Sequence, residues 1–528
     1  MPRSLAPQEG LFDSYYYDSL VPADHELMLI DQRIDFSFVS ARVKDCYTGR
    51  GRPPIPPELM LRACFLKEYA DLSDADLEEQ CRYNLLYRKF LHLAGNDTPP
   101  DSSMMTVFRQ RLGEERLKAC LDAVVQAAAQ AGLVASKRVH VDSTGIVADI
   151  AIPRLRGLTL DAVRDALAGL FALKQDAVAA PLQKQWAALD ADSMYWETKE
   201  RRDAHVLACW ELLGRVAEVY DTLMAREGWR RQQEDLILEQ AAVIEKVLQR
   251  QHPRSGPAQR RDLIVSVEDH DARWSNREKG KRPYAGYKEH IIQDEDSGII
   301  TDVIVTPANV DDGTQLRSLV AGHEANTDAT PESVGADAKY HTGENREHLA
   351  AAGIEAYIAV PAAKGEKQGL FSAGDFEFDA EHDCVMCPAG QIAERGKWGE
   401  KEQGWTYYFR KGQCEDCPLR PQCSKCKRGR TVFISKYRTV LLEARAAKDS
   451  PDQLDGQVRR LGIERTFSLQ KGRHGLGRTR FRGGSQVRVG VYLNVLVVNV
   501  RRIVRLLLEQ EQPEEWQGTG LRLLSRAA

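Results

Sequence analysis

The sequence predicts an α/β protein: a mixed β-sheet covered by helices, preceded by an all-helical module and interrupted by two inserts. Three observations carry this. Arg138–Asp149 (RVHVDSTGIVAD) and the run YAGYKEHIIQDEDSGIITDVIVTP from Tyr284 have strand texture, and the second contains a turn at Asp294–Gly298. Strands and helices then alternate, which is the pattern of a mixed sheet with helical cover. Two stretches, 153–261 and 363–436, differ in composition from what flanks them. At 528 residues the chain is too long for one hydrophobic core, so several domains are expected.

Taken in order, residues 1–50 form an aromatic and acidic arm of short helices packed on something else. Residues 51–135 form a helical module. Prolines start its first helix, Ser73 caps the next, and a third runs from PDSSMMTVFRQRL to Gly132. Three or four helices with short turns suit a helix-turn-helix-type DNA-binding module, and equally a bundle with no DNA contact. Residues 136–152 and 262–362 supply the first part of the sheet core. In it His140 and Asp142 point opposite to Val139 and Val141, and the strand breaks at Gly145. The insert 153–261 reads as two or more long charged helices, in the manner of an antiparallel hairpin, and offers no chemistry. Hairpin strands to Thr306, a helix from DDGTQL, a strand at SVGADAKY, the helix NREHLAAAG and the strand IEAYIAVP complete this part. After the cysteine-rich insert 363–436, residues 437–508 return to the core with a helix around Glu464 ending near Lys471. A closing apolar helix spans Val487–Leu508, and 509–528 form a tail.

Hydrophobic content of 43% and charged content of 28% describe a soluble globular chain. No apolar run reaches membrane-spanning length, and MPRSLAPQEG lacks the core of a secretory signal, so a cytoplasmic location without membrane contact is expected. Net charge is −4, yet from Gln457 to Arg505 twelve Lys and Arg accompany one acid, Glu464. That local bias points to a polyanion. Arg460, Glu464 and Lys471 are spaced four and seven apart, on one helix face. A lone carboxylate among cations is a sensible metal ligand beside a phosphate backbone. Asp142 and Asp337, each at a strand end among small residues, are the acids to join it. Two Asp and one Glu can hold a pair of Mg²⁺ ions for phosphoryl transfer. Glu268, Asp269, Asp271 and Asp302 fit such a role poorly.

Asp142 in HVDST, Asp337 in GADAKY and Glu464 in GIERTFSLQK resemble the acidic triad of DDE transposases of bacterial insertion sequences, whose catalytic core is RNase H-like. The Arg-x3-Glu-x6-Lys spacing is in register with the family signature, with Gln457 where that signature has Tyr. ARWSNREKGKRPYAGYKEH, VTPANVDDG and the N-terminal module resemble the eleven-eighty-two-like group, within the insertion-sequence-four-like superfamily. The resemblance implies an RNase H-like mixed sheet and catalytic Asp142, Asp337 and Glu464 binding two Mg²⁺ ions, with Mn²⁺ able to substitute. It also implies hydrolysis that frees 3′-hydroxyls, and their transesterification into target DNA. Arg460, Lys471 and Arg465 would grip phosphates, and Arg473, Arg478, Arg480 and Arg482 would follow the bound DNA in the loop beyond. The partners would be double-stranded DNA, as terminal inverted repeats and target, and a second copy of the chain on paired ends, at the nucleoid. The rivals are a non-enzymatic, zinc-containing DNA-binding protein descended from a transposase, and another RNase H-like metal-dependent nuclease.

Of eleven cysteines, five (Cys46, Cys64, Cys81, Cys120, Cys209) are scattered in apolar contexts and read as small buried hydrophobes. The other six lie between Cys384 and Cys426 as three CxxC pairs, a strong zinc signal in a cytosolic chain. A structural Zn²⁺ site of Cys384, Cys387, Cys414 and Cys417 is expected, with Cys423 and Cys426 as alternates and an iron–sulfur cluster as the other occupant. Arg420, Lys425, Lys427, Arg428 and Arg430 around it suggest contact with DNA.

Overall fold

The computed structural model describes residues 11–46, 55–134, 137–191, 198–250, 263–275, 282–362, 369–400, 403–426 and 428–511. The first ten residues, Pro53 and Pro54, the NREKGK stretch at 276–281, Lys427 and the tail from 512 lie outside them. The N-terminal module comprises α1 (Leu11–Leu20), α2 (Glu26–Arg33), α3 (Phe38–Arg42), α4 (Pro57–Tyr69), α5 (Asp74–Tyr83), α6 (Leu85–Phe90) and α7 (Ser102–Gln130). Local chemistry sets its boundaries. Pro57 sits in the first turn of α4, where a missing N–H costs nothing. Ser73 and Asp76 form a reciprocal capping box on α5. Asp101 caps α7 through the Met104 amide at 2.8 Å, and Gly113, at φ 67°, bends that helix.

The core sheet contains β1 (Arg138–Val147), β2 (Arg273–Trp274), β3 (Ala285–Asp294), β4 (Ile300–Pro307), β5 (Ser333–Ala336) and β6 (Glu355–Ile358). Its order is β2-β3-β1-β5-β6, with β4 also paired to β3. The β1–β5 and β5–β6 pairs are parallel and the rest antiparallel, so the expected mixed sheet is present. Alternation divides its faces. Val139, Val141, Ile292, Val334 and Ala336 pack against α12 (Leu316–Thr327) and α13 (Gly343–Ala351). Ile146, Tyr287 and Ile291 face the other way. They join one core with the N-terminal module, α18 (Leu461–Arg473) and α19 (Gly484–Glu511). On this second face, α17 (Pro451–Arg459) lies over β6, where a side chain on Gly456 would strike Tyr357; α16 (Arg438–Ala446) packs on α13 instead.

Two expectations are corrected, and the cysteine-rich insert shows a fold that its sequence did not specify. β1 does not break at Gly145 but continues to Val147. Gly145 stays in register with Lys288, and its missing side chain makes room for the Tyr284 ring. The helical insert is not a simple hairpin. α8 (Leu155–Ala172), α9 (Asp176–Ala191), α10 (Lys199–Met224) and α11 (Arg231–Arg250) enclose their own core around Leu167, Leu213, Val216, Tyr220 and Ile244. The cysteine-rich stretch builds a second, five-stranded antiparallel sheet: β7 (Glu377–Asp379), β8 (Cys384–Met386), β9 (Ile392–Gly399), β10 (Gly404–Tyr408) and β11 (Thr431–Ser435). The short helices α14 (Lys411–Cys414) and α15 (Arg420–Cys423) accompany it.

Candidate active site

Sheet register brings the two aspartates together. Val141 pairs with Ala336 at the end of the parallel β1–β5 ladder, so Asp142 and Asp337 are the next residues on adjacent strands. Both alternate with residues buried under α12 and α13, and both therefore face the side on which α18 lies. Asp337 also accepts the Lys339 amide at 2.9 Å and so caps the turn that ends β5.

The third acid arrives on a helix. Ile463, Phe467 and Gln470 bury one side of α18 against the sheet, leaving Glu464 in its exposed first turn. Arg460, immediately before the helix, spans the gap. Its Nη1 donates to Asp142 Oδ2 at 2.7 Å, and its Nη2 stands 3.8 Å from Glu464 Oε1. Burial, helped by the charges of Asp337 and Glu464, pushes the Asp142 carboxyl up to about 6 against the opposing pull of the Ser143 amide and Arg460. Asp142 therefore feels the charge of both other acids at this sheet edge. Tyr340 adds a buried hydroxyl, held protonated by burial and by the carboxylates of Asp312, Asp142 and Asp337. Asp312 is neutralised by Lys288 at 2.6 Å and Lys339 at 2.9 Å, and these hydrogen bonds hold its carboxyl below the usual range despite burial. Lys288, Asp312, Lys339 and Tyr340 were not singled out from the sequence, although DAKY placed two of them within three residues of Asp337.

Among the described residues, no group of three His, Cys, Asp or Glu side chains stands close enough to hold a metal ion as it is. The donor set nonetheless fits a hard divalent cation. It consists of carboxylate oxygens with mutual repulsion to relieve, and the cation between two of them is a guanidinium. The other acids have structural duties. Asp302 pairs with Lys118 at 2.8 Å, Asp269 accepts from the Tyr287 hydroxyl at 2.5 Å, Asp271 accepts the Gly484 amide at 3.0 Å, and Glu268 meets Arg482 at 3.4 Å.

The basic residues fall into two sets. Arg465 and Lys471 are exposed on α18. Arg473 lies 3.7 Å from Glu26 and over the Tyr69 ring. Beyond the helix, the chain pairs with the end of β1 through Val147 N to Gly477 O at 3.1 Å and Thr479 N to Val147 O at 2.9 Å. Its arginines engage acids of other elements: Arg478 with Asp149 at 2.7 Å, Arg480 with Asp71 at 3.1 Å and Arg482 with Glu268.

The cysteines do not assemble as expected. Within β8, Val385 is buried in the insert core, so Cys384 and Met386 face away from it while Cys387, one residue past the strand, returns to the inner side. Cys384 thus lies within β8, and Cys387 opens the turn that follows it. Cys387, Cys414, Cys417, Cys423 and Cys426 line one cavity, and Cys384 does not. Burial raises the Cys423 thiol pKa, as do neighbouring Cys414, Cys387 and Cys417, against the pull of Arg430.

Among the described residues, no helix is long and apolar enough to cross a membrane. A transposase-domain family model matches residues 15–111, on the N-terminal module, and a transposase DDE-domain model matches residues 386–504. A protein of Rhizobium meliloti described as uncharacterized protein ORF8 in the nfe locus is 34% identical over 123 residues, covering 22% of this chain and 59% of that protein. No solved structure matches. The two matched segments flank the first two acids and include the third, so the chain is similar to transposases over its N-terminal module and to a transposase DDE domain over the stretch that carries Glu464.

Proposed function

We propose that this protein binds the ends of a mobile DNA element, hydrolyses a strand there, and joins the freed 3′-hydroxyl to target DNA. The observation that supports this best is the reach of Arg460 to both Asp142 and Glu464, at the sheet edge that also carries Asp337. In this reading the three carboxylates hold divalent cations, Mg²⁺ or Mn²⁺, which when bound activate water and stabilise the leaving oxygen. The chain's own residues do the positioning. The sheet fixes Asp142 and Asp337 side by side, and α18 sets Glu464 over them. Arg460, Arg465 and Lys471 place the scissile phosphate by charge-assisted hydrogen bonds. In the first step the oxygen of water attacks the phosphodiester and the 3′-oxygen leaves with a proton. In the second that 3′-oxygen attacks a target phosphodiester and displaces another 3′-oxygen. Each step exchanges one P–O bond for another and needs no covalent bond to the enzyme. Two ends must be held at once, so the working form is a dimer on paired ends, in the cytoplasm where the chromosome lies.

Incubation of the purified protein with labelled end DNA and Mg²⁺ tests this. Cleavage and strand-transfer products are expected, and Glu464→Gln should abolish both while leaving end binding intact. Normal cleavage by that variant removes Glu464 from the chemistry. A parent protein that binds ends but never cleaves, with either metal, is instead a DNA-binding protein without catalysis.

A further inference from the structure

We propose that Cys387, Cys414, Cys417 and Cys423 form a tetrathiolate site for one zinc ion, and that Cys384 and Cys426 take no part. The four, together with Cys426, line a single cavity of about 30 Å³ in the cysteine-rich insert, room for a small ion. Cys387, Cys414 and Cys423 pack against the insert's hydrophobic core and Cys417 is half-buried, whereas Cys426 is exposed. The ligand set therefore draws on three separate turns: one residue after β8, two around the end of α14, and one at the end of α15.

The backbone around these turns is already built for ligation. At Cys387 the chain closes a tight turn. Cys387 N donates to Gln391 O at 2.9 Å, Gly390 N donates to Cys387 O at 2.8 Å, and Gln391 N donates to the Cys387 sulfur at 3.3 Å. Gly390 has φ 75°, so the turn needs glycine there. Arg420 holds the Cys414 carbonyl at 2.8 Å, and Arg430 holds the Cys423 carbonyl at 3.2 Å and that of Phe371 at 2.8 Å. The Gln413 amide reaches Ile392 O at 2.8 Å, which ties α14 to β9.

These contacts place the Cα frame by means other than the sulfurs. The thiols share the cavity lining without meeting at a point as they stand, so their side chains must turn inward when the ion enters. Four sulfurs suit a structural, tetrahedral zinc. The insert's small sheet, whose strands are three to eight residues long, gains from such a staple.

Metal content of the full-length protein tests the assignment. About one zinc per chain is expected from the parent, from Cys384→Ser and from Cys426→Ser, and a large loss from Cys387→Ser and Cys423→Ser. Because the losing variants could fail to fold, Cys423→His is the companion: it should keep the metal. Cobalt exchanged into the parent should show the sulfur-to-cobalt charge transfer and intense visible bands of a tetrahedral thiolate site, and Cys423→His should shift those bands. Loss of metal from Cys384→Ser, a cobalt spectrum unmoved by Cys423→His, iron with sulfide in place of zinc, or a metal-free folded parent would each overturn the proposal.

Discussion

The basic stretch from Arg460 to Arg482 divides at Arg473 into halves that look alike in sequence and differ in the fold. The first half is a helix, seated on the sheet by Ile463, Phe467 and Gln470; Arg460 at its start meets Asp142 and Glu464, and Arg465 and Lys471 are exposed along it. The second half is a loop laid along the end of β1, with Arg478, Arg480 and Arg482 engaged by Asp149, Asp71 and Glu268. Positive charge alone therefore does not mark a phosphate contact. One half positions an acid for chemistry, and the other ties the N-terminal module and the segment before β2 to the sheet. The expectation that Arg478, Arg480 and Arg482 follow bound DNA has to compete with these internal partners.

The largest effect that would break this division belongs to Arg460. It stands against Asp142 with side chains only 18% and 15% exposed. Arg460→Ala leaves a mostly buried carboxylate without its counter-ion, which costs roughly 3 kcal/mol. Urea unfolding at neutral pH should show it. A change below about 0.5 kcal/mol would mean that the guanidinium contributes no more than a surface ion pair. Removing the carboxylate as well, in Arg460→Ala with Asp142→Asn, should restore much of the loss.

A somewhat smaller effect comes from the seat of the same helix. Glu289 of β3 is fully buried, accepts from the Gln470 amide at 2.9 Å, and is pushed up to about 7 by burial. The folded state therefore keeps a proton that the unfolded chain has lost between the ordinary value of 4.5 and about 7. Stability should fall as pH rises through that window, because the unfolded state binds fewer protons there. Glu289→Gln removes the term and should stabilise the protein at pH 8 by up to roughly 3 kcal/mol relative to the parent, with little difference at pH 4. Equal pH slopes for parent and variant would mean that Glu289 is ionised in place, and that α18 is not seated on a neutral acid.

Much of the first half was legible in the sequence. Period-two alternation marked β1 and the hairpin, and the same alternation sets Asp142 and Asp337 on one face. The four-residue step from Arg460 to Glu464 gave their mutual reach on a helix. The second half was not legible, because Asp71, Asp149 and Glu268 lie hundreds of residues away and no local rule pairs them with arginines. The cysteines pose a different difficulty. The CxxC spacing does not reveal that Cys384 sits within a strand while Cys387 opens the following turn, and only the latter lines the cavity shared by the other cysteines. The insert's sheet escaped notice because β7 and β8 have three residues each and β9 is charged on its exposed face.

The smallest effect lies in the loop, and it separates the two halves most directly. Arg480 is half-exposed and bonds Asp71 at 3.1 Å, with the carbonyls of Leu72 and Asp71 at 2.9 and 3.1 Å. An exposed pair of this kind contributes about 0.2–1 kcal/mol, screened further by salt. Arg480→Ala should therefore cost little stability, and less still in high salt. If the loop serves the fold, the variant should also leave the salt dependence of end-DNA binding unchanged. Lys471→Ala should lower that slope by about 1, as expected for the loss of one phosphate contact. Should Arg480→Ala lower the slope equally, DNA displaces Asp71 on binding, and the loop works as a clasp that exchanges an internal carboxylate for a phosphate.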